Sequence, residues 1–81
     1  MMIPTIHLNG TSKESIVGDL CEANHAIHEA GRLLAKCYPN GRDYYTQGPE
    51  AIEAAMREHE GRMERLRSVA NELLAIVEAI D

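Results

Sequence analysis

Ile16-Val17-Gly18-Asp19-Leu20-Cys21-Glu22-Ala23-Asn24-His25-Ala26-Ile27 opens a stretch that runs on to Cys37 and decides the fold. Within it Ile16, Leu20, Ala23, Ile27, Ala30, Leu34 and Cys37 alternate spacings of four and three. That is the a/d seam of a helix lying along a partner helix, and small residues at Ala23 and Ala30 predict a close approach. The partner lies downstream. Ile52, Met56, His59, Met63, Leu66, Ala70, Leu73, Val77 and Ile80 repeat the same alternation. Glu53–Arg57 and Glu58–Arg62 sit off that seam as i,i+4 pairs, each worth about 0.2–0.5 kcal/mol.

The ends of both helices are marked. Thr11-Ser12-Lys13-Glu14 reads as a capping box, with Thr11 as N-cap and Glu14 three residues on. Pro39 disfavours helical geometry at Tyr38 and stops the first helix. Gly48-Pro49-Glu50 opens the second, with proline at the first helical position and an acid in the first turn. The expected fold class is all-α: one domain over residues 1–81, an antiparallel helical hairpin with a short extended N-terminal segment. Helix 1 runs from about residue 12 to 37, the loop over 38–48, and helix 2 from about 49 to 80. In residues 2–8, Ile6 and Leu8 face inward while Thr5 and His7 face out.

A chain of 81 residues builds a marginal core on its own. Near the C-terminus Val69, Leu74 and Ile76 widen the apolar face beyond what one partner helix covers. Either residues 2–8 pack there or a second chain does, and the expected assembly is a homo-oligomeric helical bundle, a dimer or higher.

The net charge of −5, with 13 acidic against 8 basic residues, argues against duplex nucleic acid as a partner. No apolar run approaches the ~20 residues of a membrane span, and Met1-Met2-Ile3-Pro4 lacks the basic and apolar regions of a signal peptide. The expected compartment is the cytoplasm, with Cys21 and Cys37 reduced. Sixteen positions apart on one helix, these thiols stand ~24 Å apart along the axis, too far for a disulfide.

Two polar motifs carry the functional reading. The first is His7-Leu8-Asn9-Gly10-Thr11-Ser12, with Lys13 beyond it. Backbone N–H groups, two hydroxyls, an ammonium and the positive end of a helix dipole suit an anion there. Capping alone needs only Thr11 and Glu14; it has no use for His7 or Asn9. The second is Asn40-Gly41-Arg42-Asp43-Tyr44-Tyr45. Arg42 suits bidentate phosphate or carboxylate recognition, Asp43 and Asn40 read polar edges, and a tyrosine ring stacks on a flat ligand. The same loop also serves as structure, with Asn-Gly as the turn and the rings closing the bundle end. Adjacent Tyr44 and Tyr45 are expected to divide these roles. Helix 1 holds the motifs ~39 Å apart within a chain. They form either two small sites or one composite site at a subunit boundary, and the composite site is favoured.

Cys21, His25 and His28 share a helix face, with Arg32 beyond. Three metal-ligand types without a fourth read as a solvated or second-interface face, so no metal or other cofactor is expected. His59, on the seam, reads as a hydrogen-bonded, register-setting polar residue. Nothing in the spacing of Ser12, His7 and Asp43 makes a catalytic group, and the chain is not expected to be an enzyme.

Pro4 to Ser12, Pro39 to Tyr45 and Gln47-Gly48-Pro49 before a charged helix resemble a group of small proteins of tailed phages and prophages. The resemblance covers most of the chain, is carried by the motifs, and implies no assigned activity or site residues. Small phage proteins outside the virion often counteract host defence, and one solution is a helical oligomer that sequesters a nucleotide-derived immune signal between subunits. This chain is similar in style to such sponges in size, charge and helicity, not in sequence. The leading expectation is therefore an oligomer in the bacterial host cytoplasm that binds a small anionic, nucleotide-like ligand. Its site is His7, Asn9, Thr11, Ser12 and Lys13 with Asn40, Arg42, Asp43, Tyr44 and Tyr45. The alternative is a coiled-coil hairpin that binds or inhibits a host or phage protein.

Overall fold

The computed structural model describes residues 1–81 as two antiparallel helices, α1 (Lys13–Ala35) and α2 (Ala51–Ala79), with no strand. Two short 3-10 turns, Gly41–Asp43 and Tyr45–Gln47, fill the connection. The hairpin is a rod of 62 × 21 × 16 Å. No helix is long and apolar enough to cross a membrane.

The helix ends differ from the sequence reading by local hydrogen bonding. The N-cap of α1 is Ser12, not Thr11: its backbone is extended and its Oγ accepts from the Ser15 N–H at 3.2 Å. Ser15, and not Glu14, therefore occupies the third helical position. At the other end Lys36, Cys37 and Tyr38 donate to Leu33, Leu34 and Ala35, so the helix tightens into i→i−3 bonds ahead of Pro39. Pro39 thus acts two residues earlier than expected. Pro49 lies outside α2. Gly48 has φ +106, and the Ala51 N–H bonds back to the Gly48 carbonyl at 3.3 Å. Pro49 and Glu50 are the middle of that turn, where proline's fixed φ is equally at home.

Every expected α2 seam residue turns inward, from Ile52 to Ile80. The α1 seam holds at Ile16, Leu20, Ile27 and Leu34 and fails at Ala23, Ala30 and Cys37. The half-buried positions are Ile16, Val17, Leu20, Asn24, Ile27, Gly31 and Leu34, while Ala23, Ala30 and Cys37 are exposed. A straight helix drifts against a strict seven-residue repeat by ~20° per heptad, and a bond fixes the outcome. Asn24 Nδ2 donates to the carbonyl oxygen of Ala70 at 2.7 Å, turning Asn24 rather than Ala23 toward α2. A methyl added at Gly31 meets nothing within 4 Å, so the helices are spread there rather than tightly apposed.

The extended N-terminal segment forms no strand, and its inward-facing residues are corrected. The Gly10 N–H donates to the His7 carbonyl at 3.1 Å. That turn carries Leu8 at its tip, 99% exposed, and Ile6 is exposed as well. Ile3, Pro4 and Ile6 lie beside Ala79 and Asp81 at the end of α2, so this segment leaves Val69 and Leu74 uncovered. Only Ala70, Ile80 and His59 are buried, three of 81 residues. Of the expected surface pairs, Arg62 lies 3.7 Å from Glu58, whereas Glu53 and Arg57 do not pair; Glu29–Arg32 and Glu64–Arg67 do.

Candidate functional site

The hairpin puts the two motifs at opposite ends of the rod. At the first end, the imidazole of His7 folds over Gly10, where an added Cβ would stand 2.7 Å from Nε2. Glycine is what lets the ring lie down on the turn. Ser12 is engaged in capping, so its hydroxyl already accepts one bond. Asn9, Thr11 and Lys13 are exposed and their side chains bond to nothing in the chain.

At the second end, Asn40 organises the loop. Its Oδ1 accepts from the Arg42 N–H at 2.9 Å and from Arg42 Nε at 3.3 Å. Its carbonyl accepts from the Asp43 N–H at 3.0 Å. The guanidinium is thereby held along one edge while its two terminal nitrogens carry no bond within the chain. Asp43 pairs with no cation, Arg42 included. The adjacent tyrosines divide as expected. Tyr44 is half-buried in a cleft of about 340 Å³ with Cys37, Pro39 and Ala51, and Tyr45 is 76% exposed. Tyr44 thus belongs to the packing of the loop, and Tyr45 is the ring available to a ligand.

Sequence reasoning missed a third cluster, between the loop and α2. The Tyr38 hydroxyl donates to Glu60 Oε1 at 3.1 Å. The Tyr38 ring meets His59 edge-on, with centroids 5.4 Å apart at 79°. Partial desolvation pushes the Tyr38 phenol above its ordinary range, and the bond to Glu60 and its negative charge push the same way. His59 is 3% exposed, as its seam position implies, but Nε2 has no hydrogen-bond partner. The expectation of a hydrogen-bonded, register-setting His59 is therefore corrected: Asn24 fills that role. Beside His59 an open groove of about 550 Å³ runs past Tyr38, Met63 and Arg67, and continues between the helices along Ile27, Gly31 and Ala70. The signal available in sequence was Tyr38 following the last α1 seam position, opposite the only ionisable residue on the α2 seam.

The Cys21, His25 and His28 face is exposed, and both cysteines are free. Glu29 on that helix has its carboxyl held below the ordinary range by the Arg32 guanidinium, which is itself raised. No group of three or more His, Cys, Asp and Glu side chains is placed to hold a metal ion.

No protein-family model, curated protein or solved structure matches this chain.

Proposed function

We propose that the chain is a homo-oligomeric binding protein, acting in the cytoplasm of a bacterial host, that sequesters a small anionic, nucleotide-like ligand. The Asn40–Tyr45 loop of one chain and the His7–Lys13 end of another form the site. The observation that carries this reading is the state of Arg42. Asn40 fixes it through Nε, and its terminal fork is left to a partner outside the chain. In this reading Arg42 and Lys13 hold phosphate, Ser12 and the adjacent amides donate, and Tyr45 stacks. Asp43, Asn9 and His7 read polar edges. Tyr44 supports the loop from beneath. The chemistry is recognition, without a cofactor and without turnover. A host immune signal is one ligand of this class, and an anti-defence sponge is the role that would go with it.

A thermal-shift screen with cyclic dinucleotides, cyclic ADP-ribose variants and NAD tests it. A ligand at a hundred times its Kd stabilises the native state by about 2.7 kcal/mol, an easily read rise in Tm. Arg42→Ala abolishes that rise and leaves the ligand-free Tm unchanged. A flat response across all three ligand classes overturns the reading.

A second reading is favoured by Leu33, Val69 and Leu74, which stand exposed along the rod. In it the hairpin is an adaptor or inhibitor that covers those residues with a host or phage protein, and both motifs are caps. A flat ligand screen together with a monomeric chain favours this reading.

A further inference from the structure

The hairpin has two broad sides, and they are chemically unlike. Ile27 and Ala70 face across it. At ~100° per residue, His28 and Arg32 swing to one side of α1, and Glu64 and Arg67 to the same side of α2. These residues rim the open interhelical groove. On the other side α1 presents Ala23, Ala26, Ala30 and Leu33, all exposed, and α2 presents exposed Val69 and half-buried Ile76, with Asp19 and Arg62 one heptad away at the margins of the patch. Leu33 and Val69 are 47% and 45% exposed. The α1 arc and Val69 therefore lean the same way out of the hairpin plane, as in half of a four-helix bundle, while Leu74, 47% exposed, leans toward the groove side.

The surface area says how much is missing. A compact monomer of 9.0 kDa exposes about 4,900 Å². This chain exposes 6197 Å², roughly 1,300 Å² more than that scaling gives. Covering the surplus on two chains buries about 2,600 Å², within the range of obligate homodimers. The N-terminal segment does not supply the cover, since it lies against Ala79 and Asp81 at the rod's end.

We infer that the Ala26–Val69 face is the dimer interface, and that its occupant is a second copy of this chain. With the order that the composite site of the preceding reading requires, the copy lies antiparallel with α1 on α1. The Asn24–Ala70 bond fixes the level of the two helices, so Ala26 and Val69 stand at the same height within about one turn, near the middle of the apolar stripe. The two-fold axis passes there, and Ala26 of one chain meets Ala26 of the other. The alanine stripe allows the helices to approach closely at that crossing. Each end of the dimer then carries the Arg42 loop of one chain and the Lys13 end of the other. Neither is complete in one chain.

Sedimentation and cysteine crosslinking test this on the whole chain. The expected result is a dimer that Ala26→Arg disrupts and Arg67→Ala, on the opposite side, does not. In a Cys21→Ser, Cys37→Ser background, Ala26→Cys is expected to crosslink to itself under mild oxidation, which reads the face even if the arginine variant unfolds. Crosslinking only between Ala26→Cys and Val69→Cys chains keeps the interface but overturns the antiparallel order, and with it the composite site. A chain that stays monomeric at tens of micromolar, or a dimer indifferent to Ala26→Arg, overturns the interface. None of these readouts uses a ligand, so a failed ligand screen and a failed interface remain distinct results.

Discussion

The side-chain amide of Asn24 donates to the carbonyl oxygen of Ala70, 2.7 Å away across the hairpin. A helical carbonyl keeps a second lone pair after accepting its own i+4 amide, so the bond is additional to the helix. It also selects which face of α1 turns inward, as a polar residue in a coiled-coil seam does. Asn24→Ala is expected to cost about 1 kcal/mol, read as a lower urea midpoint with an unchanged slope. A variant as stable as the parent would mean that the amide is solvated and the register is set elsewhere.

The capping of α1 gives a sharp contrast between neighbours. Ser12 holds the Ser15 N–H, while the Thr11 side chain holds nothing. Removing an N-cap hydroxyl costs about 1 kcal/mol. Ser12→Ala is therefore expected to lower stability by that amount and Thr11→Ala to leave it within measurement error, in denaturant titrations of the ligand-free protein. Equal losses from both would restore Thr11 as a shared cap.

Tyr38 makes a pH signature. Its neutral phenol, 45% exposed, is held by partial desolvation and by donation to Glu60, so its folded value lies above the ordinary one of about 10. A group raised on folding contributes stability that is intact below its unfolded value and is lost as pH rises through its folded value. The loss falls above pH ~10. Ultraviolet difference titration of the parent against Tyr38→Phe is expected to show the Tyr38 phenol ionising late, above its ordinary value of about 10. Tyr38→Phe removes that late step, and Glu60→Gln moves it down. A Tyr38 phenol ionising at its ordinary value would contradict the contact.

How far the sequence could be read depended on side-chain contrast. On α2, large residues such as Met63, Leu66 and Leu73 stand against Glu64, Arg65 and Arg67, and the seam was legible throughout. On α1, alanines at 23, 26 and 30 make two adjacent stripes almost equally apolar. A count of apolar residues cannot choose between them, and it passes over Asn24 because asparagine is polar. The loop was legible where chemistry is local, as in the division between Tyr44 and Tyr45. The Tyr38–Glu60 bond joins residues 22 positions apart, and it exists only because α2 returns at one particular level. The choice of Ser12 over Thr11 turns on a single backbone conformation, ψ 153 at Ser12, which residue type alone does not set.

His59 supplies the strongest test of the buried core. Its Nε2 is buried with no partner within the chain, and a buried polar group left unpaired costs about 1–3 kcal/mol. Its edge-on contact with Tyr38 returns about 0.5–1.5 kcal/mol. Leucine has nearly the volume of histidine, so His59→Leu removes the orphaned nitrogen and the aromatic contact without opening a large cavity. The two terms leave a net gain on the order of 1 kcal/mol, equivalent to a Tm rise of about 4–8 °C in a domain of this size. The measurement is calorimetric unfolding of both proteins at neutral pH. A lower Tm for the leucine variant would show that in solution Nε2 is bonded, to a water or to a second chain.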